Sequence, residues 1–242
     1  MSFTNLITSA IDSVADEILS KPNPTVCELG NQRLKNKKAR NDLFKRLGID
    51  SATYTGSSTK DFFLALGFDK YLAIDVNTDM DAVAMDLNMD IVSHYKFREK
   101  FDLVTNNGTG EHVFNQLAVF KNTHDITKNG GFMIHVLPFY RWVDHGFYNF
   151  HPNLFFCLAN QNEYKLHGVW IGTSDCAHVE KLGTKLNRDK GYRHQFKLDT
   201  WERDPMVVAI MQKVNDNEFE MPQQHLYAGE NITSDEIANR YK

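Results

Sequence analysis

Thr25-Val26-Cys27-Glu28-Leu29-Gly30 is a short β-type run closed by a glycine, and it reads as a buried first strand. Three comparable runs follow: Tyr71 to Asp75, a shorter one from Ala82 to Asp86, and Phe101 to Thr105. Beyond Gly130-Gly131 come Phe132 to Leu137, Tyr164 to Ile171 and a last apolar run from Pro205 to Val214. Helical patterns lie between and before these strands. Ile7, Ile11, Val14, Ile18 and Leu19 recur at helical spacing between Phe3 and Leu19, and Lys21-Pro22-Asn23-Pro24 ends that helix. Further helices are expected from Lys35 to Leu47, from Ser57 to Leu66, from Glu111 to Val119 or beyond, and from Asn153 to Asn160. Ser57 or Ser58 stands near the N-cap of the second of these, with Gly67 just past its end. Strands alternating with helices imply an α/β, Rossmann-like fold: a mostly parallel sheet, helices on both faces and a last antiparallel strand.

The chain has 242 residues, which suits a single α/β domain carrying an insertion. The insertion is the polar, basic stretch 31–56; an aromatic-rich loop spans 138–152, and a polar, loosely attached tail spans 215–242. Apolar residues at 42% are enough for a sizeable core, and 27 basic against 31 acidic residues leave a net charge of −4. That balance advertises no nucleic-acid or membrane partner. No apolar run approaches the ~20 residues that span a bilayer. Cys27, Cys157 and Cys176 are odd in number and widely spaced, which fits a reduced, cytoplasmic setting and not a disulfide framework.

In open α/β sheets ligands bind beyond the carboxyl ends of the strands, near the point where strand order reverses. The first strand delivers Glu28-Leu29-Gly30 there, the second Asp75, the third Asp86-Leu87-Asn88 and the fourth Thr105-Asn106-Asn107-Gly108. Three carboxylates at three consecutive strand ends discriminate between cofactors. A dinucleotide site needs G-x-G-x-x-G after the first strand, so that backbone amides close on a pyrophosphate. Here the loop is Gly30-Asn31-Gln32-Arg33-Leu34, no further glycine occurs before Gly48, and Glu28 would repel phosphates. S-adenosylmethionine carries a cationic sulfonium and an ammonium group and no phosphate, so an acid-lined cleft favours it. A carboxylate such as Asp75 suits a ribose diol, because it accepts two hydrogen bonds.

The ordered set V-C-E-L-G, Y-L-A-I-D, D-L-N, F-D-L-V-T-N-N-G-T-G-E-H-V-F-N and G-G-F-M-I-H-V-L-P resembles class I S-adenosylmethionine-dependent methyltransferases. It is most similar to a bacterial small-molecule or glycan-modifying group with G-T-x-E-H-x-F-N after the fourth strand and H-G-F-Y-x-F-x-P after the fifth. The second segment is matched by His145-Gly146-Phe147-Tyr148-Asn149-Phe150-His151-Pro152. The resemblance implies that Glu28 and Gly30 frame the methionine end of S-adenosylmethionine and Asp75 its ribose. Asp86 and Leu87 would flank adenine, and Asn106 and Asn107 would line the site near the sulfonium. Two features depart from the family. Arg33-Leu34 stand where its first motif usually has a second glycine, and Glu28 and Asp75 lie 47 residues apart, where a plain βαβ unit has roughly 20. The insertion accounts for the spacing.

Methyl transfer from a sulfonium is an in-line displacement, so alignment supplies much of the catalysis and a general base is optional. For a hydroxyl acceptor histidine is the natural base. His112, opening a helix directly after the fourth strand beside Glu111, is the first choice, and Glu111 joins it as a catalytic residue. The plainer account of His112 is a helix-entry residue bonded to a neighbouring loop. His135 reads as a satisfied histidine at a strand end. The loop 138–152 would overhang the cleft, with His145, Tyr148 and His151 touching the acceptor; its plainer account is hydrophobic cover for the fifth strand. Arg33, Lys35, Lys37, Lys38, Arg40, Lys45 and Arg46 make either a solvated helix face or a basic flank for an anionic acceptor. Glu111, His112 and a loop histidine could assemble around a divalent ion, but no zinc-type ligand spacing supports this, and no metal is expected. The expected function is therefore methylation of a small-molecule or sugar acceptor, at oxygen. The competing readings are a Rossmann-type oxidoreductase, which the missing glycines disfavour, and a catalytically degenerate nucleotide-binding or scaffold relative.

Overall fold

The computed structural model describes residues 2–34, 37–51, 54, 56, 58–185 and 196–224. Its main sheet has eight strands in the order β5-β4-β2-β6-β7-β10-β8-β9. These are β2 (Thr25–Leu29), β4 (Lys70–Asp75), β5 (Val83–Ala84), β6 (Phe101–Asn107), β7 (Thr127–Pro138), β8 (Lys165–Gly172), β9 (Val179–Gly183) and β10 (Met206–Gln212). Pairing is parallel from β5 through β7. The last strand, β10, lies antiparallel between β7 and β8, and β9 is antiparallel to β8 at the edge. The chain moves outward one way from β2 to β4 and β5, then returns to place β6 on the other side of β2. The order therefore reverses between β2 and β6, and the loops leaving those two strands border the crevice.

Side-chain alternation assigns the two faces. Phe132, Ile134 and Val136 of β7, with Met206, Val208 and Ile210 of β10, pack under α1 (Asn5–Leu19), α2 (Lys37–Arg46) and α3 (Thr59–Leu66). The intervening Met133, Leu137, Val207, Ala209 and Met211 pack under α6 (Asn153–Gln161). A third cluster sets Leu29, Ile74 and Val104 against Ile91 of α4 (Ile91–His94) and Val119 of α5 (Gln116–Asp125). Helix α3 begins where Ser58 predicts. The Ser58 hydroxyl accepts the Asp61 N–H, Asp61 accepts back from Ser58, and Gly67 closes the helix at φ 104°. That reciprocal pair satisfies two donors an open helix end would leave exposed.

The structure revises several expectations. Two described parts of 31–56 join the fold: α2 buries Leu43 and Phe44 in the α1 cluster, and a two-residue strand β3 (Arg33–Leu34) pairs in parallel with β1 (Ser2–Phe3). β6 runs two residues beyond Thr105, so Asn106 and Asn107 belong to the strand. No α-helix opens at Glu111. Gly110–His112 form one 3-10 turn, and α5 starts only at Gln116 under an Asn115 cap. The Gln116 amide ends the turn by donating to the Gly110 and Val113 carbonyls at 2.7 and 2.5 Å. The tail is docked as far as Glu220, whose backbone exchanges hydrogen bonds with the Asn162 side chain at 2.8 and 2.9 Å. Residues 225–242 lie outside the described residues.

Candidate active site

Gly30 ends β2 at φ +82°, and its N–H donates to the Ile74 carbonyl of β4 at 2.7 Å. On its other side Thr109, in the loop after β6, donates its hydroxyl to the Leu29 carbonyl at 2.7 Å. A Cβ on Gly30 would stand 2.1 Å from that hydroxyl oxygen. Only glycine meets both the left-handed backbone and the closeness of the loops. Gln32, also buried, ties the same loops by donating to the Asn107 carbonyl at 2.9 Å.

Glu28 lies on the α3 face, fully buried. One carboxylate oxygen accepts from the Thr59 hydroxyl at 2.5 Å and from the Tyr71 hydroxyl at 2.6 Å; the other has no partner. Burial pushes its pKa up to about 7, against the pull of those two hydroxyls. The sign of the stability effect follows. A carboxyl whose folded pKa is raised contributes fully below its unfolded value, about 4.3, and that contribution is lost as pH rises through about 7. Relative to Glu28→Gln, the parent should lose on the order of 2–3 kcal/mol between pH 4.5 and 7. Denaturant unfolding of both proteins across that range measures it, and parallel profiles would show that Glu28 titrates normally.

Asp75 ends β4 half-buried. Its carboxylate accepts the Asn31 backbone N–H at 2.9 Å and the Asn77 side-chain amide at 2.8 Å, which orients it toward the first-strand loop. Asp86 is half-buried and accepts from Asn88 through both backbone and side chain, at 2.9 and 2.8 Å. Leu87 is a core residue, packed in the cluster that holds Ile91 and Val113. Asn106 and Asn107, adjacent in a strand, face opposite sides of the sheet. Asn106 accepts the Gly110 N–H at 2.9 Å and reaches His135 Nδ1 at 3.3 Å. Asn107 points to the α1 face, and both polar atoms of its buried amide lack a partner. The two side chains therefore lie on opposite faces of β6.

Beyond β6 the chain brings together three of the anticipated residues. Glu111 Oε1 lies 3.3 Å from His145 Nε2 and 3.8 Å from His112 Nε2. The two imidazole centroids are 4.8 Å apart. Glu111 is fully buried, its Oε2 has no partner, and burial raises its pKa to about 7. Burial, and then the neighbouring His145, hold His112 below the ordinary histidine value. The approach of the loop is fixed by its backbone: the Phe147 N–H donates to the Glu111 carbonyl at 2.7 Å, and Gly146 sits at φ +67° with no room for a Cβ against Glu111. Tyr148 donates to the Phe114 carbonyl at 2.9 Å, beside the exposed rings of Phe114 and Phe147. His151 is not part of the cluster; it is exposed and accepts the Asn153 N–H at 3.1 Å at the start of α6. His135 is buried, and burial drives its pKa down to about 3, which keeps the ring neutral and out of reach.

Thr59, Tyr71, Gln32 and Thr109 were not anticipated. Thr59 carried a signal, as the first residue of a helix whose Ser58 cap was legible; the others are joined to the crevice only by tertiary contact. Of the basic residues in 31–56, Arg46 pairs with Asp12 and Asp16 of α1, and Arg40 lies over the Tyr54 ring at 4.5 Å. The side chains of Lys35 and Lys37 lie outside the described residues.

No protein-family model and no curated protein matches the sequence. Among solved structures, the chain is similar to the trans-methyltransferase CalH in complex with SAH, at TM-score 0.49 and 13% identity. That match covers 86% of this chain and 55% of CalH. It is also similar to a SAM-dependent methyltransferase from Archaeoglobus fulgidus, at TM-score 0.46 and 15% identity over 86% of this chain and 93% of that one. A third is a Burkholderia thailandensis 1,6-didemethyltoxoflavin-N1-methyltransferase, at TM-score 0.47 and 10% identity over 86% of this chain and 78% of that one. The strand order, rather than these scores, establishes the Rossmann-like architecture. Among the described residues no helix is long and apolar enough to cross a membrane.

Proposed function

We propose that this chain transfers a methyl group from S-adenosylmethionine to an oxygen of a small-molecule or sugar acceptor. The observation that carries the reading is the crevice at the reversal between β2 and β6. It has a left-handed Gly30 at its floor, the Asp75 carboxylate oriented at the neighbouring strand end and no glycine-rich phosphate cradle. Gly30 lets the Thr109 loop close on the end of β2 beside the methionine end, and Asp75 takes the ribose hydroxyls with the lone pairs its loop donors leave free. Asp86 and the backbone at Leu87 border the adenine. Glu111 and His112 act on the acceptor hydroxyl, and His145 and Tyr148 border it with the exposed Phe114 and Phe147. The sulfur leaves with the carbon–sulfur bonding pair as a neutral thioether, the acceptor oxygen takes the methyl carbon, and His112 accepts the hydroxyl proton.

Calorimetry with S-adenosylhomocysteine tests the ribose role. Asp75→Ala should weaken binding by about 1.5–3 kcal/mol, the usual loss for a hydrogen bond to a charged group. An unchanged affinity would remove Asp75 from the site.

A further inference from the structure

We infer that Glu111, His112 and His145 form a binding site for one first-row divalent transition-metal ion, of the zinc or cobalt type, with positions left open to the acceptor. Three donors converge: the ligand atoms of the three residues lie within 4.8 Å of one another. Ligands about 2.0–2.2 Å from a shared ion stand roughly 3–3.5 Å apart. The 3.3 Å between Glu111 and His145 is already in that range, and the 3.8 Å to His112 is near it. The histidine side chains that would close on the ion are 47% and 30% exposed.

The second observation is the state of Glu111. Its side chain is wholly buried, Oε1 lies within hydrogen-bond distance of His145 Nε2, and Oε2 has no hydrogen-bond partner. A buried carboxylate with one oxygen left unpaired and no cation beside it is costly, and coordination removes that cost. Two imidazoles and one carboxylate select a borderline transition ion over magnesium or calcium, which prefer all-oxygen shells. The carboxylate is on the inner side and the histidines on the outer. The remaining positions therefore face solvent beside Phe114 and Phe147, where an acceptor would arrive.

This rests on the methyl-transfer reading for its purpose, and it deepens it. Glu111, His112 and His145 would hold the ion, and the ion, in place of a free His112, would lower the pKa of an acceptor hydroxyl beside it, whose proton would pass to water as the oxygen takes the methyl group. The arrangement also gives a reason for Gly146. Any side chain there would push His145 away from Glu111.

The test uses the whole chain, stripped of metal by chelation and titrated with cobalt(II) alone. The parent should take up one equivalent and develop visible d–d absorption, which zinc(II) then displaces. Glu111→Gln and His145→Ala should each weaken cobalt binding at least tenfold, since even loss of an outer-shell partner costs 10–100-fold. Should buried Glu111→Gln fail to fold, His145→Ala, in a half-exposed loop, carries the comparison. No saturable uptake by the parent, or variants that bind as the parent does, would overturn the site. S-adenosylhomocysteine calorimetry on the same samples separates the two readings. Cofactor binding without cobalt binding removes the metal site alone, and cobalt binding without cofactor binding removes the methyl-transfer reading alone.

Discussion

Gly30→Ala is expected to cost about 1.5–3.5 kcal/mol and to abolish measurable S-adenosylhomocysteine binding. Two terms add. A non-glycine residue in the left-handed region costs roughly 1–2 kcal/mol. The new Cβ would meet the Thr109 hydroxyl at 2.1 Å, so that hydroxyl must leave the Leu29 carbonyl, losing about 0.5–1.5 kcal/mol. For a chain of this size the sum lowers Tm by roughly 3–14 °C. Binding suffers further, because the contact holds together the two loops that border the crevice. Thr109→Ala removes the obstructing oxygen, so Gly30→Ala/Thr109→Ala should be less unstable than the two single effects added, a coupling that a double-mutant cycle measures. Strict additivity would mean that the close approach of the loops contributes nothing.

His112→Ala carries the other large effect. The residue lies beside a buried carboxylate and a second imidazole, with nearly half its side chain open to the solvent from which an acceptor comes. Loss of the group that acts on the acceptor hydroxyl should lower kcat by roughly 10²–10⁴-fold. Cofactor affinity should stay within a factor of two or so, since no bond joins His112 to Gly30, Asp75 or Asp86. S-adenosylhomocysteine release in the presence of an accepting compound gives kcat, and calorimetry gives the affinity. A variant with unchanged kcat would mean that alignment alone drives transfer. A loss of cofactor affinity equal to the loss of rate would mean that His112 shapes the cofactor site instead.

The legible part of this protein was the part written in local pattern. Thr25–Leu29 is a short β-type run that stops at a glycine, Ser58 and Gly67 bracket α3, and Asp75 ends an apolar run; each is a short-range signal. The less legible parts depend on partners distant in sequence. Asn106 and Asn107 read as loop because they are polar, yet they extend β6, one tied to the Gly110 turn and the other buried toward the α1 face. Leu43 and Phe44 give the basic helix one apolar side, but the α1 cluster that covers them is a tertiary contact. β9 hides in a polar stretch because an edge strand there needs only Leu182 for the core. At the site, the meeting of Glu111 with His112 and a loop histidine was conceivable from the sequence. The choice of His145 over His151 was not. It is decided by Gly146 and by the Phe147 hydrogen bond, while His151 is drawn off to the start of α6.

The strand ends that carry Asp75 and Asp86 should take S-adenosylmethionine and not a dinucleotide. Calorimetric titration of the unmodified chain with S-adenosylhomocysteine and, separately, with NAD tests it most directly. The account predicts saturable, one-to-one binding of S-adenosylhomocysteine and no heat of binding with NAD. Binding of NAD, or of neither compound, would contradict it.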